Sequence, residues 1–165
     1  MSFCGKMWDG KFRSNVEKFY SISYVTTCMD RLYNLKETLP SNIRANAGYP
    51  KVEFVVIDYN SSDNHGEWVE KNMMEYIHSG IVSYYRIDGP KYFSMAHSRN
   101  IGFKVANGEI VNNLDADNYT YNGVGSESRE SFSFYLNRLA NEADENVIFA
   151  KGKRIINAYF EKRER

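Results

Sequence analysis

Residues 52–63 read VEFVVIDYNSSD and carry the clearest structural pattern of the chain. Residues 52–58 form an almost unbroken apolar run, which predicts a parallel strand that is covered on both faces. Ser61 or Ser62, together with Asp63, is suited to cap a helix over residues 67–78, because side-chain oxygens can accept hydrogen bonds from the free amides of its first turn. A strand followed directly by a helix is the repeating unit of an α/β domain.

The same alternation extends in both directions from this stretch. Residues 21–27 (SISYVTT) are rich in β-branched and aromatic residues and predict a first strand. Leucines recur at helical spacing in residues 30–44, and Pro40 is expected to end or kink that helix. The later patterns predict strands over residues 81–87, 109–114 and 147–150 and helices over residues 95–106 and 128–143. We therefore expect a mostly parallel central sheet flanked by helices, with a site at the carboxyl ends of its strands.

Composition limits the class of protein. The 165 residues suffice for one domain with a sizeable core. Lys plus Arg and Asp plus Glu number 21 each, so there is no basic field to attract nucleic acid. Cys4 and Cys28 form neither a disulfide framework nor a metal-binding spacing, which favours a reducing compartment. Because no window has the apolar length of a membrane span and the N-terminus lacks the apolar core of a signal peptide, the sequence predicts a cytoplasmic protein.

Two aspartates follow the predicted strand 109–114 in the pattern Asp115-Ala116-Asp117. Carboxylates two residues apart at a strand end can share one hard cation, and that cation can neutralise the charge of a diphosphate. The spacing alone is common by chance, and a simple turn or helix cap is its alternative explanation. Context must therefore decide between the two.

Polar residues also stand at other strand ends. Asp58 closes an apolar strand, where an unpaired charge would be costly, and a carboxylate there can accept hydrogen bonds from a nucleobase or a ribose. Arg99, near the start of the helix over residues 95–106, could form paired hydrogen bonds with a base carbonyl or a phosphate. Thr26 and Thr27, at the end of the first strand, could hold a base or ribose, although alone they indicate only a strand-to-helix loop.

Taken in order, these motifs resemble the family-2 glycosyltransferases of the GT-A fold, a Rossmann-like fold that binds nucleotide sugars. The resemblance rests on Thr-Thr at the end of the first strand, then Ile-Asp-Tyr-Asn-Ser-Ser-Asp, His-x-Arg-Asn and Gly-Glu-Ile-x5-Asp-Ala-Asp-Asn. It covers about residues 21–118. Each motif is weak by itself, but four in this order at strand ends are fairly specific.

The resemblance implies a hexosyltransferase of carbohydrate biosynthesis that uses a nucleotide-diphosphate sugar, most often UDP-linked, together with Mn²⁺ or Mg²⁺. Its acceptor would be a hydroxyl of a carbohydrate or glycoconjugate, and transfer would invert the anomeric configuration. The implied nucleotide-sugar-binding residues are Thr26, Thr27, Arg31, Asp58, Arg99 and Asp115. The implied metal ligands are Asp115 and Asp117, the DXD motif of the family.

The same resemblance leaves the acceptor side open. We expect residues 1–165 to form a single GT-A-like domain that lacks a full acceptor-binding half, so that a further domain or a partner supplies the acceptor site. No residue after Asp117 matches the family's usual signature of a general base, and the catalytic base is therefore unknown. Two alternatives follow: a non-catalytic sugar-nucleotide-binding module or subunit and, ranked lower, a phosphohydrolase with an aspartate nucleophile.

Overall fold

The computed structural model describes residues 18–120, 132–142, 149–150 and 153–155. Within these residues, six strands form one sheet and five helices pack beside it. The strands are β1 (Ile22–Cys28), β2 (Val52–Asp58), β3 (Val82–Arg86), β4 (Ile110–Asn113), β5 (Phe149–Ala150) and β6 (Lys153–Ile155). The helices are α1 (Leu32–Asn46), α2 (His65–Asn72), α3 (Met74–His78), α4 (Met95–Val105) and α5 (Phe132–Glu142). The α/β class and the mostly parallel sheet predicted from the sequence are confirmed.

The sheet has the strand order β3-β2-β1-β4-β6-β5. All neighbouring strands run parallel except β5 and β6, which pair antiparallel. Strand β1 is hydrogen-bonded on both sides, since Ile22 lies opposite both Val52 of β2 and Ile110 of β4. The carboxyl ends of β1, β2 and β4 therefore converge at one edge of the sheet, which we call the carboxyl edge.

Apolar side chains cover both faces of the sheet. One face buries Tyr24 and Phe54 against Leu35 of α1 and Leu136 of α5. The opposite face buries a second cluster that includes Val25, against which α4 packs. Successive residues of β1 thus point to opposite layers, as the pleat of a strand requires.

Helix α4 approaches the sheet closely at Gly102. A Cβ atom added to this residue would lie 2.3 Å from Cγ1 of Val25 and 3.3 Å from Cγ1 of Ile57. A helix that connects two parallel strands runs back across the sheet, so α4 begins at the carboxyl edge. Because Gly102 has no side chain, the first turns of α4 can lie directly over the ends of β1 and β2.

Most predicted elements agree with the structure within two residues. Strand β2 has the predicted bounds, and β1, β3, β4, α4 and the start of α1 are shifted or shortened by one or two residues. Of the predicted helix 128–143 and the predicted strand 147–150, the structure describes residues 132–142 and 149–150. None of the helices in the described ranges is both long enough and apolar enough to cross a membrane.

The expectation that Pro40 would end its helix is wrong. Helix α1 continues for six residues beyond it, to Asn46. A proline inside a helix costs on the order of 3 kcal/mol, because it removes a hydrogen bond and crowds the preceding turn. The turns after Pro40 bury Ile43 in the core and Asn42 and Asn46 in a hydrogen-bond network, and these contacts offset that cost.

The prediction of one capped helix over residues 67–78 is also wrong. Helix α2 begins at His65 without a side-chain cap. The helical conformation is interrupted at the buried Met73, and α3 begins at the next residue. The oxygens of Ser61 and Asp63 are used elsewhere: Ser61 Oγ accepts from the amide of Asp30 at 3.0 Å, and Asp63 Oδ2 accepts from the amide of Leu32 at 2.9 Å. Asp63 thus serves the start of α1 rather than the helix that follows it.

The close approach of α4 predicts the effect of a methyl group at Gly102. We expect Gly102→Ala to lower the free energy of unfolding by about 1 kcal/mol or more, because overpacking costs about 1–3 kcal/mol and the better helix propensity of alanine returns at most about 1 kcal/mol. Urea denaturation measures the change. Gly48→Ala is the matched control, since no atom lies within 4 Å of its added Cβ; equal stabilities of the two variants would contradict the prediction.

Candidate functional site

The carboxyl edge gathers the polar residues predicted from the sequence. Thr26 and Thr27 lie in the last residues of β1, and Asp58 is the last residue of β2. Asp115 and Asp117 follow β4, and Arg99 lies in the second turn of α4. The four motifs are therefore neighbours in the fold, as the topology predicted.

Arg99 and Asp115 form an ion pair across the gap between α4 and the end of β4. Arg99 Nη2 donates to Asp115 Oδ1 at 2.8 Å, and Asn113 Nδ2 donates to the same oxygen at 3.0 Å. The other side of the guanidinium is unused: Arg99 Nε is buried and has no hydrogen-bond partner among the described residues. Because a buried donor without a partner is costly, this nitrogen is suited to an acceptor oxygen of a ligand.

The Asp115-Ala116-Asp117 segment is a tight turn, since the amide of Asn118 donates to the carbonyl of Asp115 at 3.0 Å. Asp115 and Asp117 are exposed, whereas Ala116 between them is buried. The carbonyl of Ala116 accepts from Thr38 Oγ1 of α1 at 2.7 Å. Both carboxylates consequently face outward from a turn whose middle residue is fixed to the core.

A buried pair of asparagines in α1 holds the chain that follows this turn. Asn42 donates through Nδ2 to the carbonyl of Asn118 at 3.0 Å and accepts through Oδ1 from the amide of Thr120 at 2.7 Å. Asn46 Nδ2 donates to Thr120 Oγ1 at 2.6 Å, and Asn46 Oδ1 accepts from Ser133 Oγ of α5 at 2.6 Å. We call Thr38, Asn42 and Asn46 the α1 clamp.

The residues at the end of β4 fit a hard divalent cation whose remaining coordination positions are filled by a substrate and water. No group of three or more His, Cys, Asp or Glu side chains in the described ranges is arranged to hold a metal ion. Cations such as Mg²⁺ commonly take only one or two protein carboxylates, with water and substrate phosphates in the remaining positions. Asp115 and Asp117 could supply those two carboxylates.

Asp58 is fully buried and already has internal partners. Its Oδ1 accepts from the amide of Ser61 at 2.8 Å, and its Oδ2 accepts from Tyr84 Oη at 2.6 Å and Arg86 Nη1 at 2.8 Å. Burial opposes ionisation, but the hydrogen bonds from Tyr84 and Ser61 favour the charged form more strongly and hold the pKa of Asp58 below its ordinary value. Asp58 is thus an ionised carboxylate that organises the loop after β2.

Tyr84 and Arg86 were not anticipated from the sequence. Arg86 is the last residue of β3 and binds four neighbours: the carboxylates of Asp58 and Asp88, the carbonyl of Ser61 and the side-chain oxygen of Asn60. The available signal was the position of a charged residue at the end of the predicted strand 81–87. Since β3 lies beside β2, that position places Arg86 next to Asp58.

The other predicted nucleotide-binding residues differ in their surroundings. Thr26 is buried and Thr27 is half-buried in β1. Arg31 is exposed, and its Nη1 donates to Tyr33 Oη at 2.6 Å. The structure therefore brings Arg99 and Asp115 together, with Asp117 two residues further along the same turn, and pairs Arg31 with Tyr33 of α1.

A buried Cys28, His65 and Asp63 arrangement lies behind the carboxyl edge. Cys28 Sγ lies 3.3 Å from His65 Nε2, and His65 Nδ1 is hydrogen-bonded to Asp63 Oδ1. A carboxylate only accepts, so Nδ1 carries the proton and Nε2 accepts from the thiol. Burial, with help from nearby carboxylates, raises the pKa of the Cys28 thiol to about 12. The neutral, buried thiol is not a nucleophile, and the arrangement links β1 to α2 and to the start of α1.

A second aromatic group borders the edge on the β2 side. Tyr59 is buried, and its hydroxyl is hydrogen-bonded to Nδ1 of the exposed His97 at 2.7 Å. The Tyr59 ring also meets Phe93 edge to face, with ring centroids 5.8 Å apart. His97 and Arg99 leave α4 on either side of the buried Ser98, one towards Tyr59 and the other towards Asp115.

Comparison with known proteins gives the family to which this arrangement belongs. The model of the family described as "Glycosyltransferase like family 2" matches residues 27–124, which is more than half of the chain. Curated protein sequences gave no match.

Solved structures share the fold. A mannosyltransferase from Pyrobaculum calidifontis, determined in complex with GDP-Man and Mn²⁺, aligns with 79% of this chain and 34% of its own at 23% identity and a TM-score of 0.61. Residues 1–349 of S. aureus TarS align with 60% of this chain and 28% of their own at 26% identity and a TM-score of 0.50. The chain thus spans about a third or less of these structures. The mannosyltransferase confirms the GT-A fold expected from the motifs.

The buried pairing of Asp58 predicts a stability that depends on pH. We expect Asp58→Asn to lower the free energy of unfolding by about 1.5–3 kcal/mol near neutral pH, because Tyr84 and Arg86 lose the charged acceptor of their hydrogen bonds. In the wild type, this contribution is present above the ordinary carboxyl pKa of 3.8 and is lost as the pH falls through the lower folded value. The difference in free energy of unfolding between wild type and variant should therefore narrow as the pH falls below 3.8.

Urea denaturation over a series of pH values from neutral to acid tests this expectation. Asp88→Asn is the matched control, because Asp88 also binds Arg86 but its side chain is 79% exposed. Its effect should stay within about 0.5 kcal/mol. A loss in Asp58→Asn that is the same at every pH would show that the carboxylate's charge is not its source.

Proposed function

Because this chain belongs to the glycosyltransferase-like family 2, we propose that it transfers a sugar from a nucleoside diphosphate donor to an acceptor hydroxyl. The observation that carries the proposal is the half-used guanidinium of Arg99. Its buried Nε lacks a partner in the described part of the chain, and it stands beside the exposed carboxylate of Asp115. A diphosphate oxygen would complete its hydrogen bonding.

The proposed donor site divides the diphosphate between two kinds of group. Arg99 would donate hydrogen bonds to phosphate oxygens from the α4 side. Asp115 and Asp117 would hold Mn²⁺ or Mg²⁺ from the β4 side, and such an ion, when bound, neutralises the charge of the departing diphosphate. The P. calidifontis mannosyltransferase was solved with Mn²⁺, which supports a divalent ion.

We place the nucleoside at the ends of β1 and β2. Thr26 and Thr27 would contact the base or ribose, with Asp58 fixing the loop beside them; Arg31 would join them only after leaving Tyr33. The family resemblance favours a UDP-linked donor. The P. calidifontis enzyme was solved with GDP-Man, which makes GDP the alternative to compare.

The proposed reaction is an in-line displacement. The acceptor oxygen bonds to the anomeric carbon as the bond from that carbon to the β-phosphate oxygen breaks, so the configuration inverts and the nucleoside diphosphate leaves with the bonding electrons. The acceptor's proton passes to a general base that we do not assign. We propose that residues 1–165 form one GT-A-like domain and that a further domain or a partner supplies that base and the rest of the acceptor site.

The metal assignment predicts the behaviour of Asp117→Asn. Isothermal titration of the wild type with UDP, GDP and their sugar conjugates should show one nucleotide whose binding is strengthened by Mn²⁺. We expect Asp117→Asn to weaken that binding by about tenfold or more, since one of two ligands to the ion is lost. Glu70→Gln, an exposed substitution on α2, should leave it unchanged. An unaltered affinity of Asp117→Asn with Mn²⁺ would remove Asp117 from the metal site.

The role of Arg99 is tested without metal. We expect Arg99→Ala to weaken nucleotide binding even when Mn²⁺ is removed by chelation, by about tenfold, because charge-assisted hydrogen bonds are worth about 1.5–3 kcal/mol. Arg44→Ala, an exposed arginine in the last turn of α1, removes the same charge away from the carboxyl edge. Equal effects of both variants would mean that Arg99 acts only through net charge.

A further inference from the structure

An exposed apolar segment borders the proposed donor site. Residues 91–97, which we call the rim segment, lead from β3 into the first turn of α4, and all seven are exposed. Tyr92 is 85% exposed, Met95 52% and Phe93 40%. Single apolar residues on a surface need no explanation, but several in one short segment mark a binding surface.

The rim segment is held in place at both ends. Before it, Asn60 Nδ2 donates to the carbonyl of Pro90 at 2.9 Å. Within it, Phe93 packs edge to face on the buried ring of Tyr59. At its end, the Tyr59 hydroxyl fixes the imidazole of His97. The exposed side chains thus stand on a supported base, which lowers the entropy cost of binding a ligand.

The chemistry of the rim segment suits a saccharide. A pyranose ring offers apolar C–H faces and a perimeter of hydroxyl groups, and it is matched by aromatic faces mixed with hydrogen-bonding groups. Tyr92 and Phe93 supply rings, and Tyr92, Ser94 and His97 supply hydroxyl and imidazole groups within the same short stretch. Lys91 adds a charged amine, so the patch is not a uniformly apolar surface.

Position connects the rim segment to the donor site. His97 and Arg99 are separated by about 200° around α4, because successive residues of a helix turn by about 100°. Arg99 faces Asp115, whereas His97 faces Tyr59. We propose that the rim segment binds the acceptor saccharide, with Tyr92 stacking on a sugar ring and His97 hydrogen-bonding a hydroxyl, and that the bound saccharide reaches the Arg99 side past Met95, which lies one turn before Arg99 on the same face of α4. This inference rests on the proposed glycosyl transfer, which requires the acceptor to lie beside the donor.

The test measures saccharide binding and nucleotide binding in the same variants. Saturation-transfer NMR uses the methyl glycosides of glucose, galactose, mannose and N-acetylglucosamine as probes, and calorimetry with UDP or GDP and Mn²⁺ reports the donor site. We expect at least one glycoside to bind the wild type, Tyr92→Ala to weaken it by about fivefold or more, and His97→Ala to weaken it as well. Tyr92→Ala should leave nucleotide affinity within about twofold.

Tyr135→Ala is the matched control, since it removes a partly exposed tyrosine from α5, whose asparagines bind residues before β1 at the opposite end of the sheet. Its glycoside binding should equal that of the wild type. The proposal is overturned if no glycoside binds, if both tyrosine variants behave alike, or if Tyr92→Ala abolishes self-association of the chain instead, which would make the rim segment a contact between copies. If the wild type binds nucleotide normally, any of these results contradicts the acceptor proposal and leaves the proposed donor site standing. If the wild type binds glycoside but no nucleotide, the proposed donor site alone is refuted.

Discussion

The α1 clamp is the interaction on which the candidate site depends. The side-chain amide of Asn42 donates to the carbonyl of Asn118 and accepts from the amide of Thr120, and Asn46 donates to Thr120 Oγ1, so the chain after β4 has one permitted path. Buried amides without partners would each cost a few kcal/mol, and the alternative paths are therefore unfavourable. Thr38 also holds the carbonyl of Ala116, the middle residue of the turn Asp115-Ala116-Asp117. The side chains of Asp115 and Asp117 on either side of it must therefore point outward.

The second wall of the site is set by packing rather than by hydrogen bonds. Gly102 lets α4 lie against Val25 and Ile57, and the distance between α4 and the sheet fixes how far the Arg99 guanidinium can reach. It reaches Asp115 with one nitrogen and leaves Nε unused. The α1 clamp on one face of the sheet thus positions Asp115, and the Gly102 contact on the other face positions Arg99. The gap between them holds a guanidinium with an unused donor, which suits an anionic ligand.

Local patterns revealed the layers of this fold but not its long-range hydrogen bonds. The apolar run over residues 52–58 revealed β2, because burial on both faces leaves a composition that the sequence shows directly, and β-branched and aromatic residues revealed β1. The predictions for Pro40 and Asp63 were wrong for one reason. Each was based on the residue's usual local role in a helix, whereas the structure is set by hydrogen-bond partners some thirty or more residues away. Asp58 was found at its strand end, but its partner Arg86 depends on which strand lies beside β2, and strand order is not written in local sequence.

The charges at the carboxyl edge explain why nucleotide and metal would bind together in the proposed donor site. Asp58 and Arg86 compensate each other within the fold, and Arg99 and Asp115 do so across the gap, which leaves Asp117 as an unpaired carboxylate among them in the described structure. A diphosphate alone would meet that charge as repulsion. With a divalent cation shared by Asp115 and Asp117, the negative charge of these two carboxylates is offset, and the free Nε of Arg99 would gain an acceptor. Donor and ion then each raise the affinity for the other by the same factor, because binding free energies are reciprocal.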